Sequence, residues 1–585
     1  MLAKLWSGLR MGPRGFARLV IRYSSHGVAG EPGHAVELDE YQHWLNQRTA
    51  DPVKAGAFGK VSVVMPVCDT PLEFLREAYS SVLAQTYLDW ELCIHDDGSK
   101  ASWVRTELER MQASDPRVKV SYGTGRSGIA AATNSALSLA QGVWVAFLDH
   151  DDVLHPAALA LTAQALSRES SQIVYTDHDA LDESGRRCKP YFKPDWSPDL
   201  FLAQMFMGHL VVMERALVLE VGGLRHEMDG AQDYDLILRC VAAGARISHV
   251  PEVLYHWRQH AGSTSANADS KPYAHNAGRR ALQQFVDIVY PGARVDDGEY
   301  TFCYDVRYPR AHPLKLASII IPTKDGLDLL EVCIDTIRRI TVDQPYEIIV
   351  VDNGSVHEQT KRWLAGIVAD PRIRVLPADV PFNWSALNNL AAREARGEVL
   401  VFLNNDTEVV QADWLVRLVE LCERVDVGVC GPLLVYGDGT IQHAGVVVGM
   451  GGWADHVFKG QATVHHQHLF TSPMLRRNVL AVTGACMAIA KDKFDAIGGF
   501  DESFVVCGSD VELCLRAYER GLLNVYLADV CLIHHESKTR DPRAIPESDF
   551  VQSEIAYRQY RTNGDPFYSS NLDDMQSSPT LGTRK

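Results

Sequence analysis

The chain is poor in the features that mark several large protein classes, and each lack removes one. No run of 18 apolar residues occurs, so no membrane-spanning helix is expected. The twelve cysteines are scattered, with no CxxC pair and no metal-ligand spacing. That pattern points to buried thiols in a reduced, cytosolic chain and away from a disulfide framework. No GxxxxGKS or GxxxxGKT stretch is present, which disfavours a P-loop phosphotransferase. No GxGxxG follows the first strand, which disfavours a dinucleotide oxidoreductase, and no GxSxG elbow occurs. Basic charge is short overall. The net charge of −17 argues against binding nucleic acid, whose phosphates demand a basic surface.

What is present is a globular composition, 46% apolar and 22% charged, in a chain of 585 residues, which calls for two or three domains. The start departs from the acidic whole. Residues 1–25 carry Lys4, Arg10, Arg14, Arg18 and Arg22 and no acid, with Leu, Trp, Phe, Val and Ile between them. A basic amphipathic segment of this kind suits peripheral contact with an anionic membrane surface; a frayed basic tail is the plainer alternative. It lacks the long apolar core and cleavage site of a signal peptide. Residues 574–585 read as disordered, and 24–35 read similarly.

The stretch FLDHDD at 147–152 ends an apolar strand in three aspartates, and FLNNDT at 402–407 ends a second strand in a similar polar knot. Asp and Asn favour turns, but the recurrence belongs to a longer repeat. Pro66 and Pro322 are 256 apart, as are Asp96 and Asp352; Asn134 and Asn389, Asp149 and Asn404, and Asp151 and Asp406 are 255 apart. Asp233 and Asp510 differ by 277, as do Arg239 and Arg516. EVLYHWR at 252–258 is echoed by DVCLIHHES at 529–537, placing His256 near His534. The single jump in offset marks an insertion in the second copy, expected at 437–460. The chain therefore reads as a tandem duplication.

Each copy alternates buried-strand runs with amphipathic helices, a β-α-β-α-β-α-β order that predicts a doubly wound α/β sheet. Ligands of such sheets bind beyond the carboxyl ends of the strands, where both knots sit. The expected division is a basic segment 1–59, a first domain 60–292 closed by a helix over 271–292, a connection 293–314, a second domain 315–565 and a tail 566–585.

Per copy there is a strand-end acidic cluster, a later Asp before a helix, and a His just after a strand. Asp and His together suit Mg²⁺ or Mn²⁺, and a divalent ion held by few protein groups usually bridges phosphates. The separate Asp233 or Asp510 is then free to abstract a proton. That combination suits transfer from a phosphate-activated donor to a hydroxyl.

At these residues the chain resembles a known family. SVVMPVCDTPLEFLREAYSSVLAQTYLDWELCIHDDGS, FLDHDD and GAQDYDLILR look like a family 2 inverting glycosyltransferase of the GT-A fold. PFNWSALNNLAAREARGEVLVFLNNDTEV, VTGACMAI, GGFDESF and SDVELCLRAYERG look like a second one, of the rhamnosyltransferase-like kind found in bacterial O-antigen synthesis. The resemblance implies two GT-A domains in tandem, acting on dTDP-, UDP- or GDP-sugar donors and a lipid-linked glycan acceptor at the cytoplasmic face of the inner membrane. It implies catalytic bases at Asp233 and Asp510. Nucleotide-sugar contacts would come from Pro66, Asp96, Asp97, Asn134 and Asp149, and from Pro322, Asp352, Asn353, Asn389 and Asn404. Metal ligands would be Asp151, His256, Asp406 and His534. Asn353 and Asn404 depart from the acidic pattern, which puts metal use by the second copy in doubt; an Asn carbonyl still accepts from a pyrimidine N3–H.

Plainer roles stand beside these. Asp233 and Asp510 would also cap helices, His256 would also pack as a core histidine, and Asn134 and Asn389 would also cap. Arg258 suits either a diphosphate contact or an ion pair. Two rival functions remain open: one catalytic copy with a silent sugar-binding partner, and a carbohydrate-binding scaffold without turnover.

Overall fold

A computed structural model describes residues 36–48, 58–259, 272–465, 469–535 and 545–583. The basic segment and the stretch 24–35 lie outside these residues. The described chain falls into two compact units. The first holds 36–48, 58–259 and 272–307 with 469–471 and 581–583, and the second holds 308–465, 472–535 and 545–580.

The strands of the first unit are β1 (Val61–Val67), β2 (Trp90–Asp96), β3 (Val118–Tyr122), β4 (Trp144–Phe147), β5 (Val153–Leu154), β6 (Ile173–Leu181), β7 (Arg187–Tyr191), β8 (Val211–Glu214) and β9 (Ile247–Arg258). β1 and β2 are buried along their whole length, as strands covered on both faces must be. β1, β2 and β3 pair in parallel, and the chain then returns to lay β4 on the other side of β1. That reversal opens a crevice at the carboxyl ends of β1 and β4. Beyond β4 the sheet is mixed. β8 lies antiparallel to β4 and β6, β9 runs parallel to β6, and β5 and β7 pair antiparallel with β9 and β6.

The closing helix is found at Pro272–Val289. The stretch expected to connect the units differs from expectation. It contains a hairpin of β10 (Arg294–Asp297) and β11 (Tyr304–Arg307) that belongs to the first unit. Val295, Tyr304 and Val306 are buried on its inner side, a period-2 pattern too short to stand out in the sequence.

The second unit repeats the plan with β12 (Ala317–Thr323), β13 (Tyr346–Asp352), β14 (Ile373–Pro377), β15 (Val399–Leu403), β16 (Thr407–Val409), β17 (Val427–Val435), β18 (Ile441–His443), β19 (Val446–Val448), β20 (Ala454–His456), β21 (Arg477–Val479), β22 (Cys486–Ala490) and β23 (Leu523–His534). Its main order is β14-β13-β12-β15-β22-β17-β23-β16, the counterpart of β3-β2-β1-β4-β8-β6-β9-β5. The inserted stretch holds β18, β19 and β20. Residues 574–580, expected to be disordered, instead pack on it. Asp574 O and Ser577 O accept from Gly451 N and Phe458 N, each at 2.7 Å, and Ser578 Oγ accepts from Gln461 Nε2 at 2.8 Å.

Register maps one unit onto the other. Trp144 faces Glu214 and Val399 faces Ala490; Ile173 faces Met213 and Val429 faces Ile489; Asp179 faces His256 and Val435 faces Ile533. His178, Tyr191, His209, Tyr255, His256 and Trp257 thus correspond to Leu434, His443, Ala485, Leu532, Ile533 and His534. Among the described residues no helix is long and apolar enough to cross a membrane, and all twelve cysteines are free thiols.

Candidate functional site

At the end of β2, Asp96 Oδ1 accepts from Ser99 N at 3.0 Å, closing the turn. Asp97 is buried, and its carboxylate takes Ser127 N at 2.8 Å, Ser127 Oγ at 2.5 Å and Gly128 N at 3.1 Å. Three of its roughly four acceptor positions are therefore filled. The donors lie in GTGRSG, 123–128, a glycine-rich loop between β3 and helix Ile129–Leu137. In the second unit Asp352 accepts from Ser355 N at 3.0 Å, as Asp96 does from Ser99. Asn353 differs from Asp97. Its Nδ2 donates to Ala378 O and Val380 O at 2.7 Å each, which fixes the amide's orientation, and its Oδ1 is enclosed without a partner. An orphaned buried acceptor costs about 1–3 kcal/mol and asks for an N–H from a ligand. Pro66 and Pro322 lie inside β1 and β12, one residue from the strand ends, opposite His95 and Val351.

The acid knot of the first unit crowds like charges together. Asp149 leaves 46% of its side-chain surface open, so it lines a recess. The walls of the recess and the charge of Asp151 push its carboxyl up to about 6. Asp152, by contrast, is buried, and accepts from Tyr255 OH at 2.6 Å and Arg258 N at 2.7 Å. Burial, then Asp149 and Asp151, hold its carboxyl well above the usual range. Asp233 is the second residue of helix Gln232–Ala242, and burial raises its carboxyl while His209 opposes that rise. His209 lies beside the knot, and its charge is felt at Asp233. Its Nε2 lies 3.6 Å from Asp149 Oδ2, and its ring stacks on Tyr255 with centroids 4.7 Å apart.

The second unit joins the same parts by backbone. Asp510, again second in its helix (Ser509–Glu519), accepts from Gly484 N at 2.7 Å. The next residue, Ala485, accepts through its carbonyl from Asn404 N at 2.9 Å. Burial raises the Asp510 carboxyl, and the Gly484 N–H works against it. A Cβ on Gly484 would stand 2.9 Å from the Trp384 ring, so this approach requires glycine. Asp406 Oδ1 lies 3.2 Å from His534 Nε2, and both side chains are 7% exposed. Burial works against the Asp406 charge, but the His534 hydrogen bond and charge outweigh it and hold the carboxyl below its usual value. The metal expectation for these two residues thus meets a touching, enclosed pair.

Two expectations are corrected. His256 does not correspond to His534. In the strand register it matches Ile533, one residue away, and successive strand residues point to opposite faces. Its Nδ1 lies 2.6 Å from Asp179 Oδ1, and Asp179 Oδ2 also takes Tyr41 OH at 2.7 Å and Arg187 Nε at 2.6 Å. His256 is a buried, paired histidine turned from the knot. Asn134 and Asn389 neither cap a helix nor present free amides to a donor. Asn134 bonds both the N–H and the C=O of Leu224, at 3.0 and 2.8 Å, and Asn389 does the same to Phe500, at 2.9 Å each way. Gly223 and Gly499, each at φ +69°, allow this approach, because a Cβ would stand 2.7 and 2.9 Å from the two amide oxygens. Arg258 resolves as an ion pair with Glu77, its Nε donating to Asp151 O at 2.8 Å.

Sequence reasoning missed His209, Lys193 and the GTGRSG loop. Lys193 is fully buried, and its Nζ donates to Thr176 O at 2.5 Å, to Met207 O, and to His209 O at 2.8 Å, holding the segment that carries His209. Burial pulls its ammonium down to about 7. The loop had a readable signal, its three glycines between a strand and a helix; His209 had none.

Among the described residues, no three His, Cys, Asp or Glu side chains converge on one point. Asp149 and Asp151 together fit a divalent ion whose remaining ligands are phosphate oxygens, because close acids favour a cation between them; Asp406, already engaged by His534, fits one less well.

The description "Glycosyl transferase family 2" matches the chain twice, at residues 62–216 and 318–495, together over half of its length. The chain is 42% identical over 538 residues to the y4gI protein of Sinorhizobium fredii, covering 89% of this chain and 59% of that one. It is 41% identical over 556 residues to the O-antigen biosynthesis protein RfbC of Myxococcus xanthus, covering 93% of this chain and 43% of that one. The chain thus spans about half the length of these curated relatives. Among solved structures, GalNAc-T7 with UDP, GalNAc and Mn²⁺ shares 15% identity at a TM-score of 0.36, covering 46% of this chain and 53% of that one.

Proposed function

We propose, for a chain that belongs to glycosyl transferase family 2, that each unit transfers a sugar from a nucleotide-activated donor to a hydroxyl of a growing, lipid-linked surface glycan. The carrying observation is the shared link between knot and base. In both units one short segment, at His209 or at Gly484–Ala485, lies against the strand-end knot; Gly484 also bonds the helix-start Asp510, and the charge of His209 bears on the helix-start Asp233.

The residues take the following parts. Asp97 and Asn353 receive the N–H of the nucleobase, and the unpartnered Asn353 Oδ1 supports a pyrimidine donor such as a UDP- or dTDP-sugar. Asp149 with Asp151, and Asp406 with His534, would hold Mg²⁺ or Mn²⁺ against the diphosphate. When bound, that ion offsets the charge of the departing diphosphate. Asp233 or Asp510 takes the proton of the acceptor hydroxyl as its oxygen bonds the anomeric carbon and the bond to diphosphate breaks. The single in-line step inverts that carbon. A carboxyl raised by burial is the stronger base for this task. The naming of the M. xanthus relative supports a surface-glycan acceptor, and resemblance favours rhamnose for the second unit.

A second reading has its own support. The second unit carries Asn404 in place of Asp149 and an enclosed Asp406–His534 pair, which favours a silent, glycan-holding role for it. Both readings are tested by nucleoside diphosphate release with Mn²⁺, a panel of UDP-, dTDP- and GDP-sugars and a lipid-linked acceptor extract. Loss of a different activity in Asp233→Asn and in Asp510→Asn is expected. If only Asp233→Asn matters, the second unit is the silent module, and no release from any donor defeats the transferase reading.

A further inference from the structure

The first unit carries three rings on its site face that the transfer step above leaves unused. His178 on β6 pairs across the ladder with Tyr191 on β7, and their ring centroids lie 5.5 Å apart. Trp257 on β9 stands edge-on to His178 at 6.4 Å. All three are half-buried, so they line a recess and do not fill a core. His178 Nδ1 is enclosed there without a hydrogen-bond partner. The recess continues from the acid knot. Tyr255 is two residues before Trp257, hence on the same side of β9; it stacks on His209 and bonds Asp152.

Flat aromatic faces beside hydrogen-bonding groups suit a pyranose, whose ring presents an apolar C–H face and a rim of hydroxyls. The strand order says which pyranose. Asp97 follows β2, the knot follows β4, His209 precedes β8, and the recess lies on β6, β7 and β9. A donor laid from Asp97 to the knot has its anomeric carbon at the His209–Asp233 end. In an in-line displacement the attacking hydroxyl enters opposite the leaving diphosphate, which is the recess side. We propose that Tyr191, His178 and Trp257 hold the terminal sugar of the acceptor and select the first unit's acceptor. This rests on the transferase reading of the same unit. The second unit offers no such platform, because the corresponding positions hold His443, Leu434 and His534, all buried.

The test uses the full chain with Asp510→Asn as background, so that only the first unit turns over. Trp257→Leu and Tyr191→Leu keep an apolar side chain and remove the flat face; Trp257→Phe keeps the face. Acceptor KM is expected to rise about tenfold in each Leu variant, with donor KM unchanged and most of the loss restored in Trp257→Phe. Saturation-transfer NMR with methyl glucoside, galactoside and rhamnoside, in the presence of UDP and Mn²⁺, gives a readout that needs no turnover. Signal on one face of at least one glycoside is expected, lost in Trp257→Leu and kept in Trp257→Phe. Acceptor KM within twofold in both Leu variants, an equal rise in donor KM, or no Trp257-dependent glycoside signal overturns the proposal. Glycoside signal with no nucleotide release would defeat the transferase reading and leave the sugar platform standing.

Discussion

The two units share one strand frame and furnish its site face with different chemistry. In the first, the face carries Asp149, His209, Tyr191, His178 and Trp257, with Asp149 and His209 close enough to act on Asp233. In the second, the matching positions hold Asn404, Ala485, His443, Leu434 and His534 around Asp510. Exposure differs at the matching aspartates too, with 20% of the Asp151 side chain open and 7% of its counterpart Asp406. The inserted β18–β20 segment and a buried His443 accompany the closed face. A duplicated fold thus kept what the backbone must do, which is to end strands at a crevice and start a helix with an acid. It let the side chains that meet a ligand diverge.

The largest effect expected is from the bases. Asp233→Asn should lower first-unit transfer about 10²–10⁴-fold and leave the second unit's intact, and Asp510→Asn should do the reverse; donor-resolved kinetics check both. If both variants abolish the same activity, the units do not act separately.

The next contrast is how each base is held. Gly484→Val puts a side chain against Trp384 and drives the Gly484 N–H from Asp510, so second-unit kcat should fall about 10²-fold, the scale of one lost backbone donor, with first-unit kcat unchanged. Metal removal should be less even-handed. The first unit offers two carboxylates to a metal, Asp149 and Asp151, and the second offers one, Asp406, already engaged by His534. The apparent Mn²⁺ affinity of the first should exceed that of the second by on the order of tenfold, read by titrating Mn²⁺ after chelation.

The smallest effect is on stability. The carboxyl of Asp149 is raised from 3.8 to about 6 in the fold, so the folded state binds the proton more tightly than the unfolded state. Metal-free stability should therefore decline as pH rises through about 6 and recover as pH falls toward 4. Asp149→Asn removes that slope and should raise the melting temperature at neutral pH. The second unit already has Asn404 at this place and gains nothing from the change. A melting profile of the variant parallel to wild type across pH 5–8 would sink this account.

The duplication, the alternation of strand and helix, both knots, both helix-start aspartates and the place of the insertion were readable from one strand of text. They rest on local patterns: strand runs, turn residues and constant offsets. The parts that were not readable depend on register. His256 and His534 look equivalent in EVLYHWR and DVCLIHHES, but a one-residue difference sets them on opposite faces of corresponding strands. His209 sits in a stretch with no motif and reaches the site because Lys193 holds its carbonyl and Tyr255 its ring. Asn134 and Asn389 lie at matching offsets for a structural reason, the clamp on Leu224 and Phe500, which sequence alone does not separate from ligand binding.

By itself the sequence determined that this protein is a doubled α/β chain with acids gathered at strand ends, because hydrophobic period and like-charge crowding are properties of neighbours along the chain. Tertiary structure alone decided which histidines face those acids, which amides are already engaged, and that one site face is open while the other is enclosed. Those outcomes follow from pairings between strands far apart in sequence, where a shift of one residue turns every side chain to the other side.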